Sequence, residues 1–333
     1  TAHHHNRLRG EQGMPTHTTL RTTLPLLITP LLSHGAMAEE SSLIQKRANA
    51  VVSLMTFTVV PDITASNLDI GSNTSTTASS ALNMTQMGGG ATMSESVPVY
   101  LEGTLGFSRY DPKFVVSNGS ESRTIPTRWN SLTATGGIGW DLHLHQDRHG
   151  GNWVLRPIGN VTLGTVASDL RIGNWLLGQY TGKNLDFLDG GRLDVYGLGG
   201  ALMLDYELFS AQQDIDVELR YSYQHLQSFG GTSASVTGQA NAENLGLYLR
   251  RRAPIGNLTL LDKPLRYVME GARTEYLCEQ RGLLGFNSLN SLGLGIELDS
   301  SKYDIFVTRT RLVARYMFSH NTSGYGVGLA MSF

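Results

Sequence analysis

The chain is poor in cysteine and in charged side chains, and it contains no long hydrophobic run. Its single cysteine, Cys278, excludes an intramolecular disulfide framework and any metal site built on several cysteines. No run of about 18 or more apolar residues occurs, so the sequence predicts no membrane-spanning helix. Charged residues make up 16% of the chain and the formal net charge is -2, so nucleic acid is not an expected partner. Nothing in the chain predicts a cofactor or a metal site.

Residues 1–38 have the pattern of a leader that directs export. Arg21 precedes a short apolar run at residues 24–32, and Ala36-Met37-Ala38 forms an A-x-A cleavage pattern before Glu39. We interpret this segment as upstream residues followed by a signal peptide. The expected mature chain begins at Glu39.

Residues 39–96 divide into a predicted helix and a segment without a steady period. From Glu39 to Phe57 apolar residues recur at helical spacing, and Ser42 forms a capping box with Gln45. Residues 67–93 are rich in Ser, Thr, Asn, Met and Gly, and we interpret them as a linker or a loosely ordered crossing segment. Two short stretches, residues 56–60 and 66–70, are candidates for first strands.

Residues 97–333 alternate between apolar and polar side chains in ten successive segments. In the first segment Val99, Leu101 and Phe107 alternate with polar residues, and the last segment ends at Phe333. Segments of about ten residues match the length with which a tilted strand crosses a bilayer. The predicted fold class is therefore all-β, with an antiparallel barrel over residues 97–333.

Two architectures bury such strands, a soluble β-sandwich and a membrane barrel whose apolar face looks toward lipid. The polar face of these segments carries arginines, acids and many glycines. Glycine weakens a solvent-exposed strand face, whereas inside a narrow barrel it makes room for something in the lumen. The pattern therefore favours a transmembrane β-barrel. The glycines that point to it are Gly137, Gly139, Gly197, Gly199, Gly293, Gly295, Gly326 and Gly328.

The end of the chain has a pattern of its own. Tyr325, Met331 and Phe333 lie at alternate positions of the last segment. A terminal phenylalanine after such a run resembles the C-terminal signature that the outer-membrane assembly machinery of Gram-negative bacteria recognises. The resemblance implies location in the cell outer membrane. It also implies outer-membrane lipid, lipopolysaccharide, the assembly machinery and periplasmic chaperones as partners.

Longer strings carry a more specific resemblance. They are Leu101-Glu102-Gly103, Phe107-Ser108-Arg109-Tyr110-Asp111-Pro112, Ile125-Pro126-Thr127-Arg128-Trp129-Asn130, Thr135-Gly136-Gly137-Ile138-Gly139-Trp140-Asp141 and Leu155-Arg156-Pro157-Ile158. Together they are similar to the solitary outer-membrane autotransporter β-barrel domain family of gammaproteobacteria. The resemblance implies a twelve-stranded barrel of translocator type, without a passenger and with the N-terminal helix inside the lumen. Since ten strands are clear from the pattern, the predicted count is ten to twelve.

Asp141, His143 and His145 are spaced by two in one segment and form the best candidate for an enzyme site. Omptin-like outer-membrane proteases use acid and histidine groups near the outer rim, where a histidine acts as base to a water. The alternative is a polar ladder in the lumen. No second acidic pair stands out, so we predict no catalytic residue and no enzymatic activity. A metal at the two histidines would need a third ligand that the sequence does not place.

Alternation also names the side chains that should line the lumen. Their mixed charge favours internal ion pairs, although an open pore tolerates such rings as well, so a plugged and an open lumen both remain possible. The predicted function is a non-enzymatic outer-membrane barrel of translocator type. The alternatives are a passive porin for small solutes and an omptin-like hydrolase. The lumen-facing candidates are Glu102, Asp141, His143, His145, Glu218, Arg220, Arg309, Arg311 and Arg315.

Overall fold

A computed structural model describes the greater part of the chain from residue 48 onward. The described residues are 48–60, 66–72, 82–110, 129–168, 192–229, 238–300, 309–320 and 322–332. All of them lie in the compact unit Ser41–Phe333. Within these ranges, no helix is long and apolar enough to cross a membrane.

A short helical segment precedes the strands. Helix α1 covers residues 48–55, and a 3-10 turn at Thr56–Thr58 continues it. The prediction of a helix is thus confirmed for the described part of residues 39–57, whereas Ser42 and Gln45 of the capping box lie outside the described residues. The suggestion that residues 56–60 form a strand is wrong, because these residues continue the helical path inside the sheet.

The strands follow in chain order and are antiparallel to their neighbours. They are β1 (Ser66–Ser72), β2 (Leu82–Thr92), β3 (Val99–Tyr110), β4 (Trp129–Trp140), β5 (Leu142–Gln146), β6 (Asn152–Ser168), β7 (Arg192–Phe209), β8 (Asp214–Phe229), β9 (Gln239–Leu260), β10 (Lys263–Tyr276), β11 (Ser288–Asp299), β12 (Arg309–Phe318) and β13 (Thr322–Ser332).

The sheet closes on itself. Strand β1 pairs with β13 through Gly71 and Ser72, and β4 pairs with β6 on its other side. Strands β4 and β5 both pair with β6, so they are two parts of one strand, interrupted at Asp141. The thirteen segments therefore occupy twelve positions of an antiparallel barrel, which confirms the predicted fold class and the higher strand count.

The interpretation of residues 67–93 as a linker is wrong, because β1 and β2 lie there. The apolar–polar alternation does not reveal strand β2, because its outward positions Thr85, Met87 and Gly89 form only a weakly apolar face. Its inward position Gly90 lies under a tyrosine ring: a Cβ there would stand 2.0 Å from the hydroxyl of Tyr100. Glycine at this position therefore lets the Tyr100 ring lie against the backbone of β2.

The barrel has apolar residues outside and charged residues inside. Leu294 on β11 is 66% exposed on the outer face, whereas Glu297 on the same strand is 1% exposed and points inward. Such an inverted surface suits contact with lipid chains rather than with water. Other exposed apolar residues of the outer face include Leu105, Leu132, Ile138, Val161, Leu163, Leu198, Leu202, Leu249, Met269, Leu292, Leu312 and Val327.

The interior has two different halves. Near the end where β4, β7 and β9 begin, apolar side chains surround residues 48–60, which we call the plug segment. We call this half the plug half. Near the opposite end, where β8 and β12 begin, arginines and carboxylates line the interior, and we call it the charged half.

Candidate functional site

The plug segment is held by an apolar stripe that its own periodicity creates. Ala48, Val52, Met55 and Val59 recur at helical spacing and are at most 1% exposed. They pack against inward side chains at the ends of five strands. These wall residues are Trp129, Val166, Leu193, Val195, Leu226, Ala240 and Ala242. The contact is apolar on both sides, so it fixes position through shape rather than through paired charges.

Side chains of the wall bind the backbone where the plug segment leaves its helical turns. Gln86 donates to the carbonyl of Phe57 at 3.1 Å, and Gln224 donates to the carbonyl of Val59 at 3.2 Å. Thr133 donates to the carbonyl of Thr58 at 3.2 Å. The last carbonyls of a helix have no partner within it, and these three side chains satisfy carbonyls that water cannot reach.

Three glycines of the wall make room for the plug segment. A Cβ on Gly106 would lie 2.7 Å from the carbonyl oxygen of Thr58, and one on Gly164 would lie 2.6 Å from Cε of Met55. A Cβ on Gly238 would lie 2.9 Å from a methyl of Val52. Glycines of the wall thus make room for a segment in the lumen. These three are not among the glycines that the alternation pointed to.

The connection between β10 and β11 folds inward over the plug segment. Gln280 is 1% exposed and donates from Nε2 to Oγ1 of Thr56 at 3.1 Å, while its Oε1 accepts from the amide of Glu243 at 2.8 Å. The rings of Phe57 and Tyr276 meet edge to face with their centroids 5.0 Å apart. This connection therefore ties the plug segment to the wall at β9 and β10.

The part of the charged half that lies nearest the plug half contains Glu102 and Arg220. Their ion pair is bidentate, with both nitrogen–oxygen distances at 2.8 Å, and Asn160 donates a further hydrogen bond to Glu102 at 2.6 Å. A Cβ on Gly137 would lie 2.7 Å from Cγ of Glu102, so glycine is needed beside this pair. This bidentate pair gives each oxygen of the buried carboxylate a charged hydrogen-bond donor.

A second group of charges lies at the end of β4. The guanidinium of Arg156 binds Asp141 at 2.5 Å and Asp205 at 3.1 Å, and it stacks 4.1 Å from the centre of the Tyr100 ring. The other oxygen of Asp141 accepts from Thr92 at 2.6 Å. Both oxygens of Asp141 are therefore engaged.

The third group joins arginines and carboxylates across five strands through shared oxygens. Glu297 accepts from Arg252 at 3.2 Å and lies 3.9 Å from Arg311, while Glu270 binds Arg315 at 2.6 Å. Asp214 pairs with Arg266 at 2.8 Å and with Arg309 at 3.7 Å. We call this group the arginine network; its members are Arg250, Arg252, Arg266, Arg309, Arg311, Arg315, Asp214, Asp216, Glu270, Glu297 and Asp299.

The structure separates the sequence candidates into two sets. Buried members face the lumen, with Arg309 half-buried at the rim; they are Glu102, Asp141, Glu218, Arg220, Arg311 and Arg315. His143 and His145, by contrast, are exposed on β5. A register shift between them places His143 opposite Val154 and His145 opposite Trp153, so their spacing of two does not keep them on one face.

The described residues of the C-terminal signature belong to β13. Tyr325 is 77% exposed on the outer face of β13. The backbone of Met331 pairs with Thr310, whereas its side chain and Phe333 lie outside the described residues.

Several lumen residues were missed by the sequence candidates. Arg266 and Glu270 belong to β10, whose faces the pattern does not assign, and Arg156 lies beside Pro157 in a mixed stretch. Arg250 and Arg252 belong to a run of three arginines, of which these two point into the lumen and Arg251 points outward. The signal that identifies them is opposite charge across neighbouring strands. The strand register sets Arg266 opposite Glu297 and Arg250 opposite Asp216.

Two further features of the lumen bear on chemistry. The oxygens of Asp205, Glu207 and Asp216 lie within 4.8 Å of one another, which is the one such group among the described residues. Arg156 and Arg250 engage two of the three, so we assign no metal there. A cavity of about 210 Å³ lies between the plug segment and the wall formed by β2 and by β8 to β12, lined in part by Glu218, Arg220 and Arg315.

No family model matches the chain, and no curated protein matches it. Among solved structures, the translocator domain of autotransporter NalP from Neisseria meningitidis is 16% identical, with 90% of this chain and 97% of that chain covered and a TM-score of 0.39. The beta domain of the Bordetella autotransporter BrkA is 13% identical, with 81% and 98% covered and a TM-score of 0.43.

The transport unit of the autotransporter AIDA-I from Escherichia coli is 11% identical, with 90% and 98% covered and a TM-score of 0.43. Because these identities and TM-scores are low, we infer nothing about the function of this chain from them.

Proposed function

We propose that this protein is an integral β-barrel of the Gram-negative outer membrane whose lumen is closed by its own N-terminal segment. The observation that carries the proposal is the burial of the plug segment inside a closed sheet, with the carbonyls of Phe57, Thr58 and Val59 bound by the wall. The barrel is of translocator type, acts without a passenger and has no enzymatic activity.

The outer surface supports the membrane location. Lipid offers no hydrogen bonds to a backbone, so only helices and closed barrels are stable in it, and this sheet pairs its first strand with its last. The apolar outer face would be costly in water. Export through the predicted signal peptide and insertion by the outer-membrane assembly machinery complete the proposed route.

The translocator type rests on the sequence resemblance and on the position of the helix. A segment that precedes the first strand and lies inside the lumen is what that resemblance implies for residues 39–57. The absence of a passenger belongs to the same resemblance. Partners are accordingly the surrounding lipid and lipopolysaccharide.

Planar-bilayer conductance tests the closed lumen. We compare the refolded chain from Glu39 to Phe333 with a version that lacks residues 39–57. We expect the first to be silent and the second to conduct, because the deletion removes the apolar filling of the plug half. Equal conductance of the two would contradict the proposal.

A passive pore is the second candidate, and the cavity beside the plug segment favours it. The cavity is partly lined by charged and polar side chains, so water and ions are tolerated there. Steady conductance of the full chain, with ion selectivity that changes on replacing Arg315 by Gln, would support this candidate over the first.

Two observations speak against the hydrolase alternative. Arg156 and Thr92 occupy both oxygens of Asp141, and the two histidines are exposed on β5. Replacing Asp141 and His143 by Ala should therefore leave any peptide or lipid hydrolysis by the purified protein unchanged. Loss of a measurable activity in this variant would restore the alternative.

A further inference from the structure

A group of three carboxylates beside the turn between β7 and β8 is short of positive partners. Oxygens of Asp205, Glu207 and Asp216 lie within 4.8 Å of one another. Arg156 holds Oδ2 of Asp205, and Arg250 holds Oδ2 of Asp216. Among the residues that the structure describes, Glu207 forms no ion pair with an arginine or a lysine. Like charges at this separation repel one another, so a cation between the three would be stabilised.

One oxygen of this group lacks a donor. Asp205 is 1% exposed, and its Oδ1 has no hydrogen-bond partner. Since Arg156 takes up the other oxygen, Oδ1 is the atom that Asp205 has left for the group it forms with Glu207 and Asp216. A buried acceptor without a donor destabilises the fold. The group therefore needs N–H donors beyond those that the described side chains supply.

The lumen as a whole has too few positive side chains to supply them. In the described part of the chain eight carboxylates and six arginines are buried, and no lysine or histidine is. Adding the half-buried Glu207, Asp299, Arg250 and Arg309 leaves the difference unchanged. The buried carboxylates are Glu102, Asp141, Asp205, Asp214, Asp216, Glu218, Glu270 and Glu297, and the buried arginines are Arg156, Arg220, Arg252, Arg266, Arg311 and Arg315.

Three oxygens at this spacing match the three N–H donors of a primary ammonium group. Such a group places its acceptors about 2.8 Å from the nitrogen and about 4.6 Å from one another. Hard divalent metals take six or more oxygen ligands, and arginines already hold one oxygen of Asp205 and one of Asp216. An ammonium group is therefore the better fit.

The group lies close to the mouth of the barrel at the charged half. Glu207 is two residues before the end of β7, and Asp216 is two residues after the start of β8. Phe209 follows on the same face of β7 as Glu207 and is 52% exposed, with Arg252 and Arg309 at 6.0 and 5.9 Å from the centre of its ring. A short alkyl chain on the ammonium group can thus extend toward the mouth along this ring.

We propose that Asp205, Glu207 and Asp216 form a binding site for the ammonium group of a primary alkylamine, which enters from the mouth at the charged half. Each carboxylate accepts one N–H, and the added positive charge offsets the repulsion among the three. The plug segment contributes no residue to the site, so the proposal is independent of the proposed closure of the lumen.

Thermal unfolding of the refolded full-length barrel tests the site. The midpoint of its heat-modifiable gel shift is measured while butylammonium replaces tetramethylammonium at constant ionic strength; both carry one charge, but the second has no N–H donor. For a dissociation constant of about 10 mM, butylammonium at about 100 mM should raise the midpoint by about 3 °C, because only the folded barrel binds it. An unchanged midpoint would overturn the proposal, as would a rise with magnesium chloride but none with butylammonium.

The variant Glu207→Gln should lose the rise that butylammonium gives. It leaves Arg156 and Arg250 with their carboxylates and removes one of three like charges, so its midpoint without the amine should be no lower than that of the wild type. The matched control is Glu95→Gln, an exposed acid in the turn before β3 at the same end of the barrel, which should keep the rise. A rise that survives in Glu207→Gln would place the amine elsewhere and overturn the assignment.

A second measurement covers the case in which Glu207→Gln fails to fold. In saturation-transfer NMR on the wild-type barrel, the methylene signals of butylammonium should receive saturation from the protein, and the methyl signal of tetramethylammonium should not. If neither cation receives saturation, the wild-type barrel binds no amine and the proposal is overturned.

Two sources carry the same ammonium group, a small free amine and the lysine side chain of a peptide. Both measurements are therefore repeated with Nα-acetyl-lysinamide. A response to butylammonium alone would support a site for small amines, and a response to both compounds would support a site that also accepts a lysine side chain.

Discussion

The two halves of the lumen are equally well buried but are held by different forces. In the plug half, Ala48 and Val52 contact apolar wall residues, and wall side chains bind the backbone of the plug segment at Phe57 and Val59. In the charged half, Glu102 is bound by Arg220 and by Asn160. Shape and a few hydrogen bonds therefore hold a separate segment in the plug half, whereas ion pairs between side chains of the barrel itself hold the charged half, where losing one partner leaves a buried charge.

Breaking a pair in the charged half should have the largest effect. Replacing Glu102 by Leu strands Arg220 in the interior, so we expect a loss of about 3–5 kcal/mol in the free energy of unfolding, measured by urea titration in detergent. The control Glu275→Leu removes an exposed partner of Arg273 and should cost about 0.5 kcal/mol or less. If the double variant Glu102→Leu with Arg220→Leu were no more stable than the single one, stranded charge would not be the cause.

Crowding the plug half should open the lumen with a smaller loss of stability. The Cβ of valine at Gly106 would lie 2.7 Å from the backbone carbonyl oxygen of Thr58, so Gly106→Val should displace the plug segment and turn a silent barrel into a conducting one, at about 1–3 kcal/mol. Bilayer conductance measures this. The matched control is Gly103→Val on the same strand, where a Cβ meets only the carbonyl oxygen of Thr135, at 3.9 Å; conductance in both variants would refute the steric explanation.

Loosening the connection over the plug segment should have a moderate effect. Gln280→Ala removes the hydrogen bonds to Thr56 and to the amide of Glu243, worth about 1–1.5 kcal/mol. We expect brief openings to become roughly five- to tenfold more frequent in single-channel records. Gln239→Ala, an exposed glutamine at the start of β9, serves as the control. An opening frequency equal to that of the control would mean that the connection does not retain the plug segment.

The smallest effect should come from a carboxylate outside both halves. In the turn after β5, the amide of Gly151 and the hydroxyl of Tyr206 donate to Asp147 and hold the pKa of that carboxyl below its usual value. Because the folded pKa is the lower one, this stabilisation is present above the unfolded pKa of about 3.9 and is lost as pH falls through the folded value. Asp147→Asn should therefore lower the unfolding midpoint slightly at pH near 7 and leave it unchanged at strongly acidic pH.

The control for that prediction is Glu95→Gln in the exposed turn before β3. It should show no such difference between neutral and acidic pH. If the unfolding midpoint of Asp147→Asn stayed below that of the wild type at strongly acidic pH, the shape of the carboxyl group rather than its charge would be what stabilises the turn.

Some parts of the fold were predictable because they depend on local pattern. Leu101, Leu105 and Phe107 alternate with polar residues, and their strand lies where the alternation places it. Strand β2 could not be found in this way, since its outward residues Thr85, Met87 and Gly89 form only a weakly apolar face. His143 and His145 were expected on one face, and the register shift between them is set by pairing with β6.

The sequence by itself determined that this chain is a barrel with an apolar outside, because a period of two is a property of neighbouring residues and needs no knowledge of the fold. Only the tertiary structure decided which charges meet and what fills the lumen. Arg220 and Glu102 are 118 positions apart, and Gln224 reaches Val59 across 165. Closure of the ring brings such residues together, and its register depends on all twelve strands at once rather than on any one of them.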